Sequence, residues 1–307
     1  MENTTTSARE RLVKSNKNKS NGELRGKMIV TLSAIIMITA TVAITVFLAT
    51  KGLQAFLVNG VSPIEFLTST DWNPTDEGNP KFGAFPFIYG SLAVTLLSAL
   101  IAAPIGIGAA IFMTEIAPAW GRKILQPVIE LLVGIPSVVY GFIGLTVLVP
   151  FIRNQFDGIG YSLLAGTIVL SVMILPTITT IATDAMGTLP RNLREGSYAL
   201  GATRWQTIRK VLVPAALPSL LTAIVLGMAR AFGEALAVQM VIGNSRAIPS
   251  SILDTSATLT SIITLNMGYT TYGSVENNTL WSMGLILLII SFVFILIIRY
   301  LSSRRRI

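Results

Sequence analysis

The sequence has no cysteine and no histidine. Their absence removes disulfides, thiolate nucleophiles, imidazole bases and the usual zinc and haem ligands. It also leaves the redox compartment unmarked. Charge is scarce: 12% of the 307 residues are Asp, Glu, Lys or Arg, where soluble domains carry about 25%. Apolar residues stand in their place, 52% of the chain, with a mean hydropathy of +0.68. Length alone accommodates two soluble domains. Composition argues instead for several membrane spans. The few charges are unbalanced, at +8. In a soluble protein that excess points to nucleic acid, so where it sits decides what it means.

A span needs about 20 mostly apolar residues. Six segments qualify: 28–50, 86–113, 124–152, 160–183, 214–243 and 281–301. The first runs from Met28 to Thr50 without charge, Gly or Pro. It exceeds the about 7–15 residues of a cleavable signal core and lacks a clear cleavage site. The expected fold is therefore all-α, a polytopic bundle of six transmembrane helices over 28–301. Basic tails flank it at 1–27 and 302–307.

Lys and Arg counts in the loops give the orientation. The first 27 residues hold seven, from Arg9 to Lys27, and the C-terminus closes with Arg304, Arg305 and Arg306. The 184–213 loop holds five: Arg191, Arg194, Arg204, Arg209 and Lys210. The 114–123 loop holds Arg122 and Lys123, and 153–159 and 244–280 hold one each. The 51–85 loop holds Lys51 and Lys81 against four acids. The alternation places both termini in the cytoplasm, in a plasma or inner membrane. The basic tails are then topology determinants beside anionic lipid, and nucleic acid is not an expected partner.

Proline and glycine sort the spans. The second to fifth carry Pro104, Pro136, Pro176 and Pro218, with many glycines; the first and sixth have no Pro. Small residues permit close helix approach, and neighbouring helices re-satisfy backbone groups freed by Pro. Spans two to five are the expected packed core. Spans one and six are expected to face lipid or another subunit. No internal repeat supports an inverted-repeat transporter.

The 188–213 loop reads locally as helix, turn, helix. Pro190 suits a first helical position. Leu189, Leu193, Gly196 and Leu200 share one face, and Arg191, Arg194, Glu195 and Tyr198 another, with Arg191 and Glu195 spaced to pair. Gly201 is a natural left-handed terminator. Thr203 and Gln206 form a capping box for a second helix running to Pro214 and into span five. Periodicity alone fits an interfacial amphipathic hairpin lying on the membrane equally well.

Glu195, Gly201 six residues on, and Val211-Leu212-Val213-Pro214 nine residues further resemble the EAA loop of ABC importer permeases. That pattern is Glu-Ala-Ala, three residues, Gly, nine residues, Ile-x-Leu-Pro. Gly196 and Ser197 replace its alanines, and Val replaces Ile and Leu. The resemblance extends to most of the chain from residue 28. Phe87-Ile88-Tyr89-Gly90-Ser91-Leu92, Ala103-Pro104-Ile105-Gly106, Thr114-Glu115, Glu130 to Gly141, and Gly227 to Ala237 are similar to the phosphate-specific branch, PstC type. The basic tail and Asp71-Trp72-Asn73-Pro74 favour PstC over its PstA sister. Sulfate and molybdate permeases are more distant alternatives.

The resemblance implies a type I importer permease forming half of a phosphate pathway. Its implied partners are a PstA-type permease, a PstB-type ATPase dimer and a PstS-type extracytoplasmic phosphate-binding protein. Leu193, Tyr198 and Leu200 would anchor the loop in an ATPase groove. Glu195, Ala199, Gly201 and Pro214 complete the motif. Gly201 would let the two loop helices cross closely. Closure of the ATPase on ATP would then move the loop as a lever. The chain has no Gly-x4-Gly-Lys-Ser/Thr phosphate loop. It is not expected to be an enzyme or to bind a cofactor or metal; ATP and Mg belong to the partner.

Arg230 and Glu234 fall in span five, one helical turn apart. A lone charge there costs about 2.5–3.5 kcal/mol on insertion scales. They are either a mutually neutralised pair or a pathway site in which Arg230 meets the anion. Glu130, the third candidate pathway residue, lies about six residues, roughly 9 Å, into span three, a depth that favours a local hydrogen bond or contact with the sister subunit over direct pairing with Arg230. Glu65, Asp71, Asp76, Glu77 and Asp254 are external-loop acids, either solvated or facing a binding protein. Asp71 to Pro74 reads as a turn, with Trp72 as an interface aromatic. An ion-coupled transporter would need several deep carboxylates, and only Glu234 and Glu130 qualify. An intramembrane enzyme would need a metal cluster or a nucleophile–base pair.

Overall fold

The computed structural model describes residues 3–76 and 78–303, with side chains from residue 26 to 300. Glu77 and Arg304 to Arg306 lie outside it. The chain divides into two units, Met1–Thr50 and Lys51–Ile307. The first belongs to one helix, α1 (Asn3–Leu57), apolar enough to cross a membrane from Gly26 onward.

In the second unit, a short helix α2 (Pro63–Thr68) starts at a Ser62 cap. A two-stranded antiparallel ribbon follows, β1 (Trp72–Asn73) and β2 (Lys81–Phe82), with Trp72 opposite Phe82. Helix α3 (Phe85–Ile111) ends in a π-helical turn, Phe112–Ile116. Next come α4 (Ala119–Gly134), α5 (Ser137–Ile143), a second π turn at Gly144–Leu148 and α6 (Val149–Phe156). Helix α7 (Leu163–Gly187) is capped by Ser162. After it lie α8 (Arg191–Ala199), α9 (Arg204–Thr207), a third π turn at Ile208–Leu212 and α10 (Val213–Phe232). Helices α11 (Leu236–Gln239), α12 (Leu259–Asn266) and α13 (Val275–Ser303) complete the chain.

Six helical stretches are long and apolar enough to span: Gly26–Leu57, Phe85–Ile116, Ser137–Phe156, Leu163–Gly187, Arg204–Phe232 and Val275–Tyr300. Six were expected, but two are placed differently. The apolar run 124–152 is not one helix. Pro136 has no N–H and disfavours helical backbone before it, and Ile135 is extended at φ −69°, ψ 126°. The chain therefore breaks there, and the span begins at Ser137. Span five stops at Phe232 rather than running to 243. Gly233 ends it, and the freed polar groups find other partners: the Thr260 hydroxyl donates to the Glu234 carbonyl at 2.7 Å.

Helix α7 is the centre, packed on α3 and α10. Small residues and hydroxyls make the α3–α7 seam. Ser98 Oγ lies 3.0 Å from the Thr167 carbonyl, and Ser171 Oγ 3.3 Å from that of Ser98. Leu170, Ile174, Ile178 and Ala182 on α7 are fully buried. A second cluster joins Phe66 and Trp72 of the 60–84 segment to Phe87, Phe232 and Leu280. Trp72 is 4% exposed and packs edge-on against Phe82 and Phe87. It is a core aromatic rather than an interface one.

Candidate functional site

The loop after α7 has the expected helix, turn, helix. Gly201 sits at φ +79°, and an added Cβ would meet nothing within 4 Å. Backbone handedness requires this glycine, not close helix crossing. Thr203 and Gln206 form the capping box, at 2.8 and 3.3 Å. From there the chain runs through α9 and the π turn into α10, with Pro214 in its first turn. The departures from Glu-Ala-Ala are accounted for in part. Ser197 is buried and its hydroxyl meets that of Thr207 at 2.9 Å, joining α8 to α9. At Gly196 a Cβ would meet nothing within 4 Å.

Leu193 packs inward against the core, with Leu189. It is not an outward anchor. Tyr198, Leu200 and Trp205 point outward, with Leu200 90% exposed. Glu195 and Ala199 are also exposed, and Glu195 and Tyr198 line a cleft of about 390 Å³ with Thr114 and Arg122. Among the described residues, Arg191 and Glu195 form no ion pair. The pair at this loop is instead Arg194 with Glu115. Arg194 Nε lies 3.1 and 3.2 Å from the two carboxylate oxygens, and Nη2 lies 2.5 Å from one of them. The hydrogen bond to Glu115, more than any other influence, holds the Arg194 pKa above its ordinary value. Sequence reading missed this partnership. The signal was a carboxylate at the end of an apolar span, which needs a cation.

Arg230 is half-buried near the end of α10, and its Nη1 donates to Thr177 Oγ1 of α7 at 2.8 Å. Among the described residues it makes no ion pair with Glu234. The α10 break turns Glu234 away, and its carboxylate accepts the Ala237 N–H at 3.2 Å. Glu130 is exposed on α4, outside the candidate spans, where it accepts from Gln126 at 3.0 Å. It does not lie within span three. With Arg122, Thr183 and Asp184 it borders a cavity of about 140 Å³. Three of the loop acids, Asp71, Asp76 and Asp254, are held locally. Asp71 pairs with Lys81 at 2.7 Å, and that hydrogen bond raises the lysine pKa. Asp76 accepts from the Gly78 N–H. Asp254 accepts from Ser250 and Ser251, which lowers its pKa.

Six helices long and apolar enough to span, with a helix–turn–helix loop between the fourth and fifth, define a polytopic membrane protein. The chain belongs to the family of binding-protein-dependent transport system inner membrane components, whose sequence model matches residues 102–307. It is 76% identical to the probable ABC transporter permease protein YqgH of Bacillus subtilis strain 168, over 98% of this chain and 97% of that one. It is 36% identical to the phosphate transport system permease protein PstC of Mesorhizobium japonicum, over 89% of this chain and 87% of that one. Among solved structures, the fold is similar to the inward-facing MetNI methionine ABC transporter. The TM-score is 0.54 at 23% identity, over 70% of this chain and 94% of that chain. The protein is thus the permease component of an ABC importer, in the inner membrane. Such permeases work with a partner ATPase and a substrate-binding protein.

Proposed function

We propose that the chain is a PstC-type permease carrying inorganic phosphate. It forms half of the pathway beside a PstA-type permease. A PstB-type ATPase dimer uses ATP and Mg, and a PstS-type protein delivers the anion. The chain itself performs no catalysis and binds no cofactor. Its loop charges support cytoplasmic termini, an orientation with the 188–213 loop on the ATPase side. Tyr198, Leu200 and Trp205 offer apolar contact there, with Glu195 beside them. Gly201 and the Ser197–Thr207 bond hold the two loop helices as one unit, and the continuous path into α10 makes it a lever.

The observation that carries the substrate reading is Arg230. Its charge is not cancelled by Glu234, and it sits between α7 and α10 with a hydroxyl partner. In a low-dielectric passage such a guanidinium stabilises an anion far more than in water. The PstC likeness supports phosphate as that anion.

The test is phosphate uptake into vesicles with ATP and binding protein, challenged with sulfate and molybdate, joined to a double-mutant cycle. Arg230→Gln with Glu234→Gln should assemble and still transport poorly. Uptake near wild type in the double variant makes Arg230 structural. Sulfate or molybdate uptake in place of phosphate overturns the substrate.

A further inference from the structure

Glu115 and Arg194 stand 79 residues apart in sequence and form a pair shielded from solvent, with side chains 8% and 22% exposed. Glu115 belongs to the π turn that ends α3, and Arg194 to α8. The same guanidinium donates to the Leu189 and Met186 carbonyls at 3.1 and 3.3 Å, where α7 ends. One side chain thus ties the loop helix to the ends of both central helices. The π turn is itself held: Arg122 donates to the Met113 and Thr114 carbonyls at 2.9 and 3.0 Å. Among the described residues, Arg194 and Glu115 are the one pair of side chains hydrogen-bonded between α8 and the end of α3.

A pair this shielded gives little net stability. Well-packed apolar residues of similar volume are often as stable or more so. What the pair supplies is geometry, because a forked guanidinium on a carboxylate fixes direction as well as distance. Helix α8 is joined in sequence to α7 and, through α9, to α10. It has no chain connection to α3. Without the pair, α8 can swing while α3 stays. π turns carry a less regular hydrogen-bond ladder and recur at functional sites.

We propose that Glu115–Arg194 is a positioning clamp that carries loop movement into α3 and α7. The proposal rests on reading the loop as the ATPase seat. Arg194 pulls on Glu115, the π turn shifts, and α3 moves with α7 as a packed pair. The bundle then changes access as a body, rather than by bending at α10 alone.

The test uses the assembled complex: both permeases, ATPase and binding protein in vesicles. The variant is E115L/R194M, which removes the charges together. Recovery of the ATPase and its basal ATP hydrolysis should stay near wild type. Phosphate uptake per ATP hydrolysed should fall about ten-fold, within the range of site-to-site couplings. Stimulation of hydrolysis by loaded binding protein should fall with it. R194K keeps the charge, loses the fork and should lie between. Wild-type uptake per ATP in assembled E115L/R194M overturns the clamp. So does a loss of uptake that only tracks lost complex. Failure of the seat reads differently, as full ATPase recovery and uptake in E195K.

Discussion

Ile178 is wedged between two glycines. It is fully buried on α7. A Cβ added at Gly227 of α10 would lie 2.7 Å from its Cγ1 and 3.0 Å from its Cδ1. A Cβ at Gly106 of α3 would lie 3.0 Å from its Cγ2. The side chain has no room to retreat from α10, because α3 backs it. Gly227→Ala should therefore overpack the three-helix junction, at about 1–3 kcal/mol. Ile178→Ala should cost about 2–5 kcal/mol by leaving a cavity. Inside a bundle in lipid the loss is one of packing rather than of water exclusion. The two together should cost less than their sum by about 1–3 kcal/mol, since the new methyl enters space that the isoleucine vacated. Unfolding of the purified permease by SDS titration in mixed micelles measures all four corners of the cycle. Additivity within about 0.5 kcal/mol would refute the wedge.

Gly201→Val places a β-branched residue at φ +79° and should strain the turn by about 1–2 kcal/mol. ATPase co-purification and uptake should both fall while membrane insertion persists; wild-type values for both exclude a lever role for this turn. The Asp254 carboxylate holds the Ser250–Ser251 turn, and its pKa lies below the ordinary value near 3.8. Because folding lowers that pKa, the turn's stabilisation is present above the ordinary value and lost as pH falls through the folded one. The Ser250 and Ser251 amide resonances should titrate with a midpoint below 3.8, and a midpoint at or above it contradicts the arrangement.

Composition and local chemistry alone determined much of this protein. Six apolar runs, the scarcity of charge, the Thr203–Gln206 box and the left-handed Gly201 were legible because each depends on residues close in sequence. The motif around Glu195 and Gly201 was legible for the same reason. Where the spans begin and end was not. Pro136 was visible as a helix breaker, yet an apolar run on both its sides read as one span, since hydropathy does not register a change of direction. Glu234 stood one turn from Arg230 on paper. Only the break at Gly233, after which Thr260 of α12 takes the Glu234 carbonyl, turned it elsewhere. Leu193 and Leu200 share one face by spacing, and the neighbouring core decided that one faces in and the other out. Glu115 and Arg194 are joined across 79 residues. Their partnership depends on α3 and α7 lying side by side, which tertiary packing alone arranges.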